Sequence, residues 1–323
     1  MCKRQSVISR EKTTSDDGLP VGEDRWRAVL EEKSARAVAR ARRADRVAGF
    51  TFKVAAAACL VVLAFIVGMI LARGLGTAVK PSFLLGKPRV MGEGGGIGPM
   101  VFSSLYLTLV TTLILTPLGV GAGLYLAEYS RGKRLVGLLR WASESLSSIS
   151  SVVFGIFGMV FFVIYLRLGY SILAGALTLA LMNLPTVMRV TEEAVRAVPA
   201  SYREASLSLG ASRWETTKRV VFPAALPGII TGVILTMGRV MGESAALVYT
   251  VGVIVRKPPF SPLQPGAPMA AHIWYLYTEG GIVPDWMRIA SGEAAALLVL
   301  VLLMNLFARV IASKIRKKMG IIG

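Results

Sequence analysis

The feature that most constrains this fold is a series of long apolar segments. Val54–Ala72 comprises 19 residues without a charged side chain. As a helix rising about 1.5 Å per residue, it is long enough to cross a hydrocarbon core about 30 Å thick. Because lipid offers backbone polar groups no other partner, each such segment must be helical. The sequence predicts an all-α polytopic membrane protein with five further transmembrane helices: Ser104–Ala127, Leu146–Leu166, Tyr170–Met188, Gly228–Val255 and Ala294–Ile311.

The distribution of charge predicts how these helices are oriented. The 323-residue chain holds 37 Lys and Arg against 19 Asp and Glu, a net charge of +18. Such an excess also occurs in nucleic-acid-binding proteins, but here the basic residues lie between the apolar segments. With a cytoplasmic N-terminus, 28 of them fall on the inner side, 8 on the outer side, and Arg239 within the membrane. Since Lys and Arg accumulate in cytoplasmic loops, we expect both termini in the cytoplasm, a place in the cell's inner membrane, and no nucleic-acid partner.

The apolar segments also predict how the chain is divided. Its N-terminal part is basic, and Arg25–Arg46 has the composition of a helix. This helix either lies near anionic membrane lipid or serves as a binding arm for a partner. The predicted regions are a cytoplasmic basic arm (1–53), the first transmembrane helix (54–72), an outer loop (73–99), a core (100–312) with an inner loop (192–227) and an outer loop (256–290), and a basic cytoplasmic tail (313–323).

Composition excludes several classes of active site. Two cysteines, Cys2 and Cys59, and a single histidine, His272, cannot form a zinc site. The chain has no GxxxxGK[ST] motif for ATP phosphates, no GxSxG elbow and no HExxH pair. A single pair of charged residues is predicted at membrane depth, so we expect no catalytic residues, metal or cofactor in this chain. We expect His272 to be a surface or membrane-interface residue of the outer loop.

The inner loop is predicted to form two short helices joined by a glycine. Its boundary signals are Pro199 and Gly210 for the first helix, and Ser212, Pro223 and Pro227 for the second. Glu215 stands three residues after Ser212, which is the spacing of a capping box. The loop is longer than most helix–helix connections. It is therefore either a compact unit that a soluble partner receives in a groove or an ordinary solvated loop.

The fifth apolar segment contains the sequence GRVMGES, Gly238–Ser244. Arg239 and Glu243 are four positions apart, so on one continuous helix they share a face. A charge near the bilayer centre costs at least about 2.5–3.5 kcal/mol, which leaves two interpretations. The pair is a structural salt bridge, or Arg239 forks onto an oxyanion while Glu243 holds the arginine and accepts a proton. Small residues on this segment predict a face for close helix packing: Gly228, Gly232, Gly238 and Gly242.

The inner loop resembles the conserved cytoplasmic loop of ABC importer permeases. The pattern there is EAA, three residues, Gly, nine residues, then I-x-L-P. The matching positions here are Glu204, Ala205, Ser206, Gly210, Val220, Phe222 and Pro223. Ser206, Val220 and Phe222 depart from the pattern conservatively. The resemblance implies a type I importer permease fold, in which this loop forms a coupling helix that docks onto an ATP-hydrolysing subunit.

Longer stretches resemble the A-type permease subunits of phosphate-uptake ABC transporters. They are Gly95–Val110, Pro117–Trp141, Val152–Val163, Leu173–Pro199 and Gly238–Gly252. That family has an arginine and a glutamate, implicated in phosphate passage, at the positions of Arg239 and Glu243. It usually has a proline in the third span where this chain has Ser150, so the residue that would break that helix is absent.

The resemblance also implies partners. These are a second phosphate permease subunit in a heterodimer, a dimer of ATP-binding subunits that holds ATP and Mg, an extracytoplasmic phosphate-binding protein, and phosphate itself. Two alternatives stay open: a permease for molybdate or sulfate, and a membrane scaffold or sensor that transports nothing. Phosphate keeps a proton at neutral pH that Glu243 can accept, whereas sulfate is fully ionised. Glu243 therefore favours phosphate.

Overall fold

The computed structural model of this chain describes residues 23–88, 95–129, 133–253, 257–280 and 285–318. It separates into two compact units, Met1–Gly68 and Met69–Gly323. The described residues are helical and include no β-strand, which confirms the predicted all-α class. Residues 1–22 of the predicted basic arm and 319–323 of the predicted tail lie outside the described ranges.

Twelve α-helices make up the described part of the chain. They are α1 (Glu23–Ala78), α2 (Pro81–Leu85), α3 (Gly98–Leu124), α4 (Lys133–Ser147), α5 (Ser151–Gly158), α6 (Ile172–Arg196), α7 (Ala200–Ser208), α8 (Arg213–Thr216), α9 (Phe222–Met241), α10 (Ala245–Val248), α11 (Met269–Glu279) and α12 (Trp286–Lys318). Three π-helical turns extend or join them: Tyr125–Tyr129 after α3, Met159–Tyr165 after α5, and Thr217–Val221 between α8 and α9.

Five helical segments among the described residues are long and apolar enough to cross a membrane, or six if the bent pair α4–α5 counts as one span. The five are Ala44–Ala78, Gly98–Tyr129, Ile172–Arg196, Arg213–Met241 and Trp286–Lys314. Most extend beyond the predicted apolar segments. α1, for example, continues through the predicted boundary at residue 53, because its basic half contains neither proline nor glycine before Gly49.

The third predicted span is broken, although its sequence lacks the proline of the resembling family. The helices on either side of the break, Val136–Ser147 and Ser151–Tyr165, meet at an angle of 100°. Ser150 lies between them in an extended conformation, with φ −64° and ψ 145°. The Ser147 and Ser148 hydroxyls donate to the backbone oxygens of Ser143 and Ser145. Clustered serines thus bond backbone groups at the end of α4, which favours a helix end without proline.

The fifth predicted span, Gly228–Val255, is also wrong as one continuous helix. α9 ends at Met241 with Gly242 as its C-cap, and α10 begins only at Ala245. Glycine is a poor helix former, which explains a break near Gly242. The following segment packs against α5, where a Cβ added to Gly155 would lie 2.9 Å from Ala246 Cα.

Glycines allow the central helices to approach closely. On α3, a Cβ added to Gly119 would lie 2.8 Å from Val187 Cβ of α6, and one added to Gly123 would lie 2.6 Å from the Met188 carbonyl oxygen. The predicted small face of the fifth span is confirmed at three of its four positions: Gly228 and Gly232 contact Ala194 and Val190 of α6, and Gly238 contacts Asn305 of α12. It is wrong at Gly242, where an added Cβ would lie 3.8 Å from the Gly238 and Arg239 carbonyl oxygens of α9 itself and would meet no other described helix.

Candidate functional site

Two helix breaks and α6 surround a small polar pocket. The pocket has a volume of about 140 Å³ and includes both Arg239 and Glu243. The break between α4 and α5 contributes the Ser147 and Ser151 hydroxyls, and α6 contributes Thr186. Its other lining residues are Leu146, Ile149, Phe154 and Met182. These hydroxyl residues were not identified from the sequence as part of a site. The cluster of serines in an otherwise apolar segment was the signal that could have indicated them.

Arg239 and Glu243 share this pocket without forming an ion pair. Glu243 lies beyond the end of α9, so the prediction that both residues share a face of one helix is wrong. Across the described ranges, neither side chain takes part in a salt bridge. The interpretation as a structural salt bridge is therefore not supported. Arg239 is exposed on the surface of the chain and Glu243 is half-buried, so both are available to a third group.

A second, larger pocket of about 700 Å³ adjoins the first through Ser147 and Thr186, which line both. Its arginines differ from Arg239 because each is bound to a glutamate. Arg140 and Arg196 both donate to Glu192, the latter at 2.7 Å. A third pair, Arg189 and Glu193, is 3.0 Å apart. A polar path therefore leads from Arg239 toward the end of α6, and each arginine along that path is bound to a glutamate, with Arg140 and Arg196 sharing Glu192.

The inner loop has the predicted local structure up to α8. Pro199 precedes α7, and Gly210 follows it with φ +85°, a conformation that favours glycine. Ser212 accepts a hydrogen bond from the Glu215 N–H, while the Glu215 carboxylate accepts one from the Ser212 N–H, which confirms the capping box. The predicted stop at the two prolines is wrong: α9 contains both Pro223, in its first turn, and Pro227.

The predicted coupling residues lie on two different helices. Glu204, Ala205 and Ser206 lie on α7, Gly210 follows that helix, and Pro223 lies in the first turn of α9. The loop presents large apolar side chains on its surface. Their exposed fractions are 53% for Tyr202, 45% for Leu207, 89% for Leu209 and 62% for Trp214. Val221, in the π-helical turn before α9, is by contrast fully buried.

His272 is buried, so its predicted surface position is wrong. It lies on α11, and its Nδ1 is 2.6 Å from Oε2 of Glu293 on α12. Glu293 is fully buried, and its Oε1 has no hydrogen-bond partner among the described residues. Because the candidate span Trp286–Lys314 includes Glu293, a second acid lies in an apolar segment. Glu293 adjoins the predicted sixth span and was therefore overlooked.

Comparison with known proteins agrees with this architecture. Residues 119–317 match the family described as the binding-protein-dependent transport system inner membrane component. The chain is 41% identical over 287 residues to the probable ABC transporter permease protein YqgI of Bacillus subtilis (strain 168), with 85% of this chain and 97% of that one covered. It is 34% identical over 249 residues to the phosphate transport system permease protein PstA of Pasteurella multocida (strain Pm70), with 77% and 87% covered.

Solved structures share the helical arrangement. One is the MetNI methionine ABC transporter in inward-facing conformations, with a TM-score of 0.53, 19% identity, and coverage of 68% of this chain and 94% of that one. Another is the bacterial alginate ABC transporter in complex with a periplasmic protein that carries an alginate pentasaccharide, with a TM-score of 0.53, 15% identity, and coverage of 68% and 80%. At these identities the likeness concerns the fold alone.

Proposed function

Because this chain belongs to the family of inner-membrane components of binding-protein-dependent transport systems, it is a permease subunit of an ABC importer, and we propose that phosphate is the solute. A subunit of this family is an integral protein of the inner membrane and is not itself catalytic. It works with an ATPase and a substrate-binding protein. The solute has to pass through the membrane helices of such a subunit, so polar residues at membrane depth are the candidates for contacting it.

The observation that carries the proposal is the polar pocket that contains Arg239. The guanidinium there has no carboxylate partner among the described residues, and its planar fork matches the geometry of an oxyanion. Ser151 and Thr186, which also line the pocket, provide further hydroxyl donors. Ser151 is also the first residue of α5, and N–H groups in a first helical turn favour anions.

Glu243 supports phosphate over fully ionised oxyanions. An ionised carboxylate can only accept hydrogen bonds, so it repels sulfate or molybdate but binds the hydroxyl of a protonated phosphate. Relatives point the same way. Several are named phosphate transport system permease proteins, including one from Pasteurella multocida and one from Mycobacterium bovis that are each 34% identical. The relative at 41% identity is named only as a probable ABC transporter permease.

The proposed partners supply the parts of the transporter that this chain lacks. We assign half of the translocation pathway to this chain and the other half to a second phosphate permease in a heterodimer. The inner loop, residues 192–227, is the surface for a dimer of ATP-binding subunits, which hold ATP and Mg. Its exposed Tyr202, Leu209 and Trp214 supply apolar contact area for docking. An extracytoplasmic phosphate-binding protein delivers the solute on the opposite side.

Arg239→Ala is the central test. The loss of a two-pronged, charge-assisted contact should lower ATP-driven phosphate uptake about 100-fold, while the complex still assembles. Uptake of labelled phosphate is measured in proteoliposomes that contain the complete complex. Arg288→Ala is the matched control, because it removes an exposed arginine paired with Asp285 outside the pocket and should leave uptake unchanged.

The same vesicles distinguish the alternatives. Excess sulfate or molybdate should not compete with phosphate in the wild-type complex, whereas strong competition would assign the chain to another oxyanion. Glu243→Gln should weaken this discrimination, because a neutral amide no longer repels a fully ionised anion. Undiminished uptake by Arg239→Ala would contradict the proposed contact and favour a scaffold or sensor role.

A further inference from the structure

Arg203 on α7 makes four hydrogen bonds that connect the inner loop to two membrane helices. Its Nε and Nη2 donate to Oε1 of Glu128, at 2.9 and 2.7 Å. Nη2 also donates to the Val195 carbonyl oxygen at 2.8 Å, and Nη1 donates to the Val198 carbonyl oxygen at 2.7 Å. Glu128 lies in the π-helical turn that ends α3, whereas Val195 lies in the last turn of α6 and Val198 just after it. A single guanidinium on α7 thus binds the ends of two helices.

Burial makes this contact stronger than a surface salt bridge. The exposed fractions are 24% for the Arg203 side chain and 15% for Glu128. The two carbonyl groups belong to buried residues of an apolar cluster that also contains Val221 and Ile229. The last carbonyl groups of a helix lack the N–H donors that the next turn would supply. Arg203 donates to two such carbonyl groups at the end of α6 and, with the same guanidinium, neutralises a carboxylate at the end of α3.

The two helices that Arg203 binds are themselves closely packed. Gly119 and Gly123 bring the α3 backbone against Val187 and Thr191 of α6, with no room for a Cβ at either glycine. These helices therefore form one stiff pair. α7 is joined to the next helix of the loop by a neutral contact, in which the Ser206 and Thr216 hydroxyls are 2.9 Å apart. α7 also packs against α8 and the turn Thr217–Val221. Its charge-assisted bonds, which are roughly twice as strong as neutral ones, connect it to the ends of α3 and α6.

We infer that Arg203 is the positioning residue that transmits movement of the inner loop to the α3–α6 pair. The inference rests on the proposed docking of an ATPase onto this loop. Leu207 and Leu209 of the loop are exposed for that partner, while Arg203 faces the membrane helices. α6 also supplies Thr186 to the pocket that contains Arg239. Displacement of α7 is therefore transmitted to a helix that forms one wall of the pocket.

The test compares Arg203→Gln, Glu128→Gln and the double variant in the complete complex. The readout is the number of phosphate ions taken up per ATP hydrolysed, measured together with the amount of ATPase that co-purifies. Each single variant should lower this ratio about tenfold, the effect of losing a contact worth about 1.4 kcal/mol, while the ATPase stays bound. The double variant should be no worse than either single one, because both remove the same link.

Several outcomes would overturn the inference. An unchanged ratio in either single variant, or additive losses in the double variant, would each mean that the pair does not transmit movement. If the Gln variants fail to assemble, Arg203→Lys decides, because it keeps the charge but cannot bind Glu128 and both carbonyls at once. A lowered ratio with normal assembly supports the inference, and an unchanged ratio refutes it.

A matched pair and the wild type complete the design. The variants Arg288→Gln and Asp285→Asn remove an exposed arginine–carboxylate pair whose atoms are 3.5 Å apart, and they should leave the ratio unchanged. The wild-type complex separates the inference from the proposed function. Absence of phosphate uptake by the wild type contradicts the assigned solute, whereas a normal wild type with unaffected variants contradicts the role of Arg203.

Discussion

The stability of a buried polar pair depends on both of its side chains, and His272 and Glu293 form such a pair. Glu293 lies on the same face of α12 as Ile289, Ala290 and Ala296, all of which are buried. His272 stacks on Tyr275 at 6.2 Å between ring centroids and supplies a hydrogen bond to one carboxyl oxygen. With Oε1 unpartnered among the described residues, this bond is the main compensation for burying the acid. The pair also ties α11 to α12.

We predict that His272→Ala destabilises the protein more than replacement of both residues. The single change leaves a buried carboxyl group without its partner, at a cost of about 3–5 kcal/mol. His272→Leu combined with Glu293→Met replaces the pair with apolar groups and should recover most of that loss. Thermal unfolding of the purified protein in detergent measures the difference. A double variant that is less stable than His272→Ala would contradict the prediction.

Residues whose role depends on local spacing could be predicted from the sequence. The Ser212–Glu215 capping box is an example, because both partners lie within one helical turn. Arg239 could also be identified as a candidate site residue, because a charged residue stands out in an apolar segment. The pairing of Arg203 with Glu128 could not, because 75 positions separate them. Such a contact depends on how α3, α6 and α7 pack, and no local pattern encodes it.

At the scale of elements, the two helix breaks were the features that periodicity could not place. Long apolar stretches adjoin both breaks, so the sequence predicts Leu146–Leu166 and Gly228–Val255 each as one span, although serines cluster at the first break and Arg239 and Glu243 flank the second. Backbone groups freed within a membrane need partners from protein or a polar cavity. Here both breaks border the Arg239 pocket, where such partners are present. The polar pocket therefore accommodates helix ends at positions where the local serines and Gly242 already disfavour a continuous helix.

We predict that Ser150→Pro preserves the fold and raises stability by about 0.4–1 kcal/mol. Ser150 has φ −64°, which is the value that proline imposes. Its N–H donates to no protein group within the described residues, so no hydrogen bond is lost. Ile156→Pro is the control: it lies inside α5 with an exposed side chain, and should cost about 3 kcal/mol. Unfolding temperatures of the two variants check the contrast, and destabilisation by Ser150→Pro would refute it.

At the scale of the whole molecule, the excess of basic residues predicts the orientation. Glu279 and Lys314 are exposed residues near the ends of α11 and α12, and the charge distribution places them on opposite sides of the membrane. We predict that Glu279→Cys reacts with a membrane-impermeant maleimide on intact cells, whereas Lys314→Cys reacts only after permeabilisation. Cys2 and Cys59 are first replaced by serine. Labelling of Lys314→Cys on intact cells would contradict a cytoplasmic C-terminus.

The central position of α6 has a consequence for the order of membrane insertion. Of the five candidate spans it is the least apolar and the most deeply buried, so lipid alone is a poor environment for it. α3 precedes it in the chain, and the glycine face of α3 is already present when α6 leaves the ribosome. α6 can then enter the bilayer by exchanging lipid for a protein surface that fits it. The insertion of α6 is therefore assisted by an earlier helix. In a fragment that lacks α3, α6 has no fitting protein surface to insert against.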